Sequence, residues 1–142
     1  MLGLLAVAAC NSGDPVKNVA DAPSVVGTWA LQSYNGGTLP YSGSQNANGS
    51  VNRVDEGSIT LDNGHTYVLE VKIVNTLGST LTPQNFNEVG SYAGSAAAGV
   101  VLKPNDLSGG TNGQNYQQVP ATVSGTTLSF AQSGKILTFV KK

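Results

Sequence analysis

Few side chains in this sequence could do chemistry beyond packing: one cysteine, one histidine and a thin scatter of carboxylates. Cys10 is the single thiol, so no disulfide can form within the chain. With one histidine beside it, the usual clustered sites that hold zinc are ruled out. His65 follows Asn63-Gly64, and Asp62 stands just before that pair. Catalysis by a histidine needs a nucleophile in reach and an acid to orient the ring. No pattern marks a nucleophile, so His65 reads as a solvated turn residue. Asp55 and Glu56 are adjacent and would point to opposite faces of a strand, which makes them a poor acid–base pair. Asn105-Asp106 and the glycines after it faintly resemble a calcium loop, but such sites gather several carboxylates and Asp106 stands alone. The expectation is a protein that is not an enzyme, with no metal and no cofactor.

The chemistry of Cys10 depends on what surrounds it. Met1 to Ala9 is apolar throughout and shorter than the roughly 20 residues a membrane-spanning helix requires. It fits the hydrophobic core of a secretory signal. Val7-Ala8-Ala9-Cys10 resembles the lipobox of bacterial lipoproteins. The resemblance implies cleavage before Cys10, with small Ala8 and Ala9 admitting the extended chain to the signal peptidase. It also implies a thioether from the Cys10 sulfur to diacylglycerol, and a further acyl chain on the freed amine in many bacteria. Each buried methylene is worth about 0.8 kcal/mol, and two or more chains anchor stably where one does not. Met1-Leu2-Gly3 carries no Lys or Arg, which leaves open a start upstream of Met1. Asn11 is not the Asp that resembles an inner-membrane retention signal, so in a diderm host the outer membrane is the expected address. The alternative is a buried apolar strand with a core cysteine, and polar Asn11-Ser12-Gly13-Asp14-Pro15 directly after it argues against that.

Charged residues make up 11% of the chain and the net charge is −1. No field exists to draw in nucleic acid or an anionic surface. The 142 residues suffice for one domain. Residues 1–9 read as signal, 10–24 as lipidated cysteine and tether, and 25–142 as the domain. The tether carries Gly13, Pro15 and Pro23 and no periodicity. Its fourteen residues after Cys10 reach at most about 45–50 Å, enough to hold the domain clear of lipid headgroups.

Gly, Ser, Thr and Asn are abundant in the domain and surface helix formers are scarce, which favours short strands joined by turns. The strand from Val25 to Asn35 places Trp29 and Leu31 on one face, and Gly36-Gly37 follows as a turn or bulge. Tyr41 to Ser50 reads as a loop, with a short strand over 50–54. Gly57–Asp62 and His65–Ile73 flank Asn63-Gly64, the preferred pair for a type I′ hairpin turn. Tyr67, Leu69, Val71 and Ile73 then share a face, opposite Thr66, Glu70 and Lys72 with Val68 among them. Asn75 to Asn85 reads as a loop, with Pro83 excluding a central strand. Strands follow over 86–93 and 99–103, then a long polar loop from Asn105 to Gln118. Strands over 119–123, 126–131 and 135–140 close the chain, joined at Ser124-Gly125 and Ser133-Gly134. Sequential antiparallel strands with no helix predict an all-β fold: a small up-and-down β-barrel of about eight strands, whose closure removes exposed edges.

Gly27-Thr28-Trp29 at the start of the first strand resembles the Gly-x-Trp of lipocalins and their calycin relatives. Gly57-Ser58-Ile59-Thr60-Leu61, Gly90-Ser91-Tyr92 and Leu137-Thr138-Phe139 are similar to strand phrases of bacterial lipocalin-like domains. The resemblance covers about Val25 to Lys142. It implies that Trp29 packs as a structural plug across the closed end. It also implies a cation covering that ring; no arginine lies near the C-terminus, and Lys141 or Lys142 could substitute.

Tyr67, Leu69, Val71, Tyr92, Leu102 and Phe130 are the expected inward positions, forming either the wall of an apolar pocket or a packed core. Two functions follow. One is a lipid-anchored envelope protein whose lipocalin-like barrel captures a small hydrophobic ligand, with the Asn75–Asn85 or Asn105–Gln118 loop as lid. The other is a solid-cored structural or interaction module contacting envelope proteins or polymers. The anchor is testable directly: Cys10→Ser should abolish labelling by a fatty-acid probe and release the protein from membranes, and unchanged labelling would contradict lipidation.

Overall fold

The computed structural model describes residues 24–105 and 117–142. The expected signal segment, Cys10, Asp106, nearly all of the tether and most of the 105–118 loop lie outside these residues. Among the described residues the secondary structure is entirely β. Eight strands build the barrel: β1 (Gly27–Tyr34), β4 (Val51–Leu61), β5 (Thr66–Leu77), β7 (Phe86–Ser95), β8 (Gly99–Pro104), β9 (Val119–Ser124), β10 (Thr127–Gln132) and β11 (Lys135–Lys141). Three short strands are appended: β2 (Gly37–Thr38), β3 (Tyr41–Gln45) and β6 (Thr80–Pro83). Every pairing is antiparallel, and each barrel strand lies beside the next barrel strand in sequence.

Strand β1 closes the barrel. One edge pairs Gly27 to Ala30 with Leu61 to Ser58 of β4, and the other pairs Trp29 to Tyr34 with Lys141 to Leu137 of β11. Its ladder with β11 shifts register between Leu31 and Ser33, and past Ala30 it no longer pairs with β4. Beyond that point β2 takes the β1 edge and β3 takes the β4 edge. The barrel is therefore tightly laced at the Trp29 end and splayed at the Tyr34 end, where Tyr34 and Tyr41 pack with ring centroids 5.5 Å apart.

Trp29 fills the laced end with no exposed surface. Its Nε1–H donates to the Val25 carbonyl oxygen at 3.0 Å, which satisfies the indole's one polar atom. The Lys141 ammonium lies 5.3 Å from the ring centroid and also donates to the Ser24 carbonyl. Gly27 makes this cover fit. Its φ is 133°, and a Cβ there would stand 3.2 Å from Lys141 Cε.

Five sequence expectations need correction, and hydrophobic register explains the clearest. Asn63-Gly64 does not form a two-residue type I′ turn. Such a loop would pair Leu61 with Thr66 and turn Tyr67, Leu69 and Val71 away from Ile59 and Leu61. Instead the loop has three residues: the His65 N–H donates to the Asp62 carbonyl, and His65 takes a left-handed φ of 61°. Leu61 then pairs with Tyr67 and Ile59 with Leu69, all buried on one face. The first turn falls on Asn35-Gly36 rather than Gly36-Gly37, with both residues at positive φ, the type I′ geometry. The β9–β10 loop is Gly125-Thr126, one residue later than expected, while Ser133-Gly134 forms its type I′ turn. Finally, 41–50 and 75–85 are not plain loops. They contain β3 and the β5–β6 ribbon, in which Pro83 sits at the end of the outer strand, where a missing N–H is tolerated.

An eight-stranded barrel is just wide enough for its own side chains. Trp29, Ile59, Leu69, Leu128 and Phe139 are all 0% exposed, and the Phe130 and Phe139 rings stack at 5.5 Å. With no intrachain disulfide possible, this packing must hold the barrel. Trp29→Ala should cost about 3–5 kcal/mol in urea unfolding, a large share of a typical domain's stability. A loss under about 1 kcal/mol would show that the laced end does not hold the barrel shut.

Candidate ligand site at the barrel mouth

The splayed end is where the interior becomes reachable. Strand β5 alternates strictly, with Tyr67, Leu69 and Val71 buried and the residues between them exposed. Past Val71 the row continues to Ile73, which is only partly covered. Across the mouth, Tyr34 ends β1, Phe86 begins β7, and Leu137 lies near the start of β11. These residues line a cleft of about 130 Å³, with Gln132 and Ser133 of the β10–β11 turn on its rim. The volume falls well short of the roughly 300–1,000 Å³ of a pocket for a drug-sized ligand. It is close to the ~150 Å³ apolar cavity that takes up benzene.

One carboxylate faces inward near this end. Glu88 alternates with Phe86, Gly90 and Tyr92 on the inner face of β7 and is half-buried. Its Oε1 accepts a hydrogen bond from the Tyr67 hydroxyl at 2.7 Å, and its Oε2 accepts one from Gln132 Nε2 at 2.7 Å. Gly90 makes the first bond reachable. It is the register partner of Tyr67, and a Cβ there would stand 2.6 Å from the Tyr67 ring. The ring thus lies flat over Gly90 and delivers its hydroxyl two residues along the strand. Burial first, then the hydrogen bond and negative charge of Glu88, push the Tyr67 phenol far above its ordinary pKa. Two ion pairs form among the described residues, Arg53–Asp55 and Lys72–Glu56, and neither involves Glu88. Glu88 also lines a second cleft that shares Gln132 and Ser133 with the first.

The six expected inward residues are all buried, but they do not converge on one cavity. Leu69 and Leu102 are at most 1% exposed, and Phe130 is stacked on Phe139, so these three stand within packed core. Tyr67 is buried with them and serves the Glu88 network. Val71 lines the mouth cleft. Tyr92 lies at the opposite end, its hydroxyl donating to the Asp62 carbonyl at 2.7 Å. The inward alternation of β7 in the sequence marks Glu88 as inward-facing, a position outside the six apolar ones expected to line the interior.

Asp62 and His65 belong to the turn at the laced end. Asp62 Oδ1 accepts the Thr66 N–H at 2.9 Å and Oδ2 accepts the Thr66 hydroxyl at 2.6 Å. The His65 ring packs against Tyr92, centroids 5.4 Å apart. Both Asp62 oxygens are thus engaged in holding the turn. No group of three or more His, Cys, Asp or Glu side chains is placed to share a metal ion among the described residues. No protein-family model matches the sequence, and no curated protein matches it.

The Thr66 hydroxyl, and next its N–H, hold the Asp62 carboxyl below the usual carboxylate range. A lowered folded pKa gives stability that is full above the unfolded value, near pH 4, and is lost as pH falls through the folded one. Urea midpoints followed from pH 6 to pH 2 should therefore drop on acidification, and Asp62→Asn should flatten part of that drop. Parallel curves for the two proteins would show that the turn carboxylate contributes nothing.

Proposed function

We propose that this chain is a lipid-anchored cell-envelope protein whose lipocalin-like barrel binds the apolar end of a small molecule at its open mouth. The address rests on the apolar Met1–Ala9 segment and on Val7-Ala8-Ala9-Cys10, with lipid on Cys10 as the membrane contact. Kinship with lipocalin-like lipoproteins rests on Gly27-Thr28-Trp29 and on the ring's place at the laced end under Lys141. The binding role rests on one observation above all, the apolar cleft among Tyr34, Val71, Ile73, Phe86 and Leu137. Because the interior beyond it is packed, a ligand is held at the rim rather than swallowed. Capture involves no covalent step, and the role is non-enzymatic.

A second reading has its own support. Leu77 and Leu81 are 49% and 61% exposed near the tip of the β5–β6 ribbon, one on each face. With a solid core behind them, they suit a module that grips an envelope partner through this ribbon.

Titration of the full chain with 2-phenylethanol, a neutral probe of the cleft's size, separates the two. Ile73→Phe should fill the cleft and weaken binding about tenfold or more, a change of about 1.4 kcal/mol. Ile136→Phe, at a position 56% exposed on the outer face, should leave affinity unchanged. No binding, or equal effects of the two substitutions, would contradict mouth binding and favour the interaction module.

A further inference from the structure

Glu88 is out of place in a barrel that merely shelters an apolar group. A carboxylate on the inner face loses solvation, and a purely hydrophobic ligand would cover it further at a cost. The Tyr67 hydroxyl and Gln132 amide fix its orientation but bring no positive charge. Tyr67 in turn is fixed by its fit over Gly90. The result is a pre-aimed anion held from two sides by neutral donors. Gln132 connects it to the apolar cleft, since the same side chain bonds Glu88 and forms the cleft's rim. Glu88 itself lines the adjoining cleft, which shares Gln132 and Ser133 with the apolar one.

We propose that the mouth selects an ammonium-bearing ligand, its apolar end in the Tyr34–Val71–Ile73–Phe86–Leu137 cleft and its cation against Glu88. This rests on the mouth-binding reading above and adds the charge of the ligand to it. A primary amine fits the chemistry: its N–H donors can use the lone pairs that Tyr67 and Gln132 leave open on a carboxylate. Hydrogen bonds to charged groups are the strong ones, and a half-buried pair is screened less by salt than an exposed one. An anionic amphiphile of the same size is disfavoured by like charge.

Three probes of one shape test this on the full chain at neutral pH: 2-phenylethylammonium, 2-phenylethanol and 3-phenylpropanoate. The ammonium should bind at least about tenfold more tightly than the alcohol, in keeping with a charged hydrogen bond, and the carboxylate more weakly than either. Glu88→Gln keeps an oxygen for the Tyr67 hydroxyl and removes the charge, so the ammonium-to-alcohol ratio should fall to near one. Glu88→Asp keeps the charge but withdraws it by one methylene, so the preference should persist in weaker form. Thermal unfolding of each variant reports whether it is folded. Equal binding of ammonium and alcohol by the unaltered chain would overturn the proposal while leaving mouth binding intact, as would a ratio undiminished in Glu88→Gln. Binding of none of the three would overturn both.

Discussion

The structure depends on one strand being shared. Strand β1 hydrogen-bonds to β4 along one edge and to β11 along the other, and only this double pairing turns a meander into a closed barrel. The sharing lasts only from Gly27 to Ala30 on the β4 side. Where it holds, Trp29 sits sealed inside with its indole N–H satisfied and Lys141 across its face. Where it ends, the wall parts, β2 and β3 take the separated edges, and a small cleft lies among Tyr34, Ile73, Phe86 and Leu137. Closed end, packed middle and open mouth are consequences of how far β1 can follow β4 before its ladder with β11 shifts.

Much of this was legible in the sequence. The alternation of Tyr67, Leu69, Val71 and Ile73 marked the core face of β5, and Gly27-Thr28-Trp29 marked the first barrel strand. What sequence reasoning missed was governed by register rather than by local preference. Asn63-Gly64 prefers a two-residue type I′ turn, but that turn would have put the apolar rows of β4 and β5 on opposite faces. The apolar rows prevailed, and the Asp62 carboxylate stabilises the longer loop by taking both Thr66 donors. The β5–β6 ribbon was missed because Thr80 to Pro83 is exposed on both faces, so no burial alternation marks it.

The candidate site was legible only in part. An eight-stranded barrel of this length has little room left once an indole, four phenyl or phenol rings and a dozen aliphatic side chains share its axis. Val71, one of the expected lining positions, does reach the mouth, whereas Leu69 and Leu102 spend their surface on the core. The alternation of β7 marks Glu88 as inward-facing, but its pairing with Tyr67 shows only in the fold, where Gly90 lets the Tyr67 ring lie flat and point at it. The packed core supplies stability, and the proposed recognition falls to the mouth, with one apolar wall and one oriented carboxylate.

On the proposed reading, a ligand is held at the mouth and never enters the barrel. Methyl-selective NMR of the full chain with bound 2-phenylethanol tests it most directly. The account predicts contacts from the probe's ring to the methyls of Val71, Ile73 and Leu137, and none to Leu69, Leu102 or Leu128. Contacts to the second set would mean that the core opens to admit the ligand, and would contradict a solid barrel that binds only at its rim.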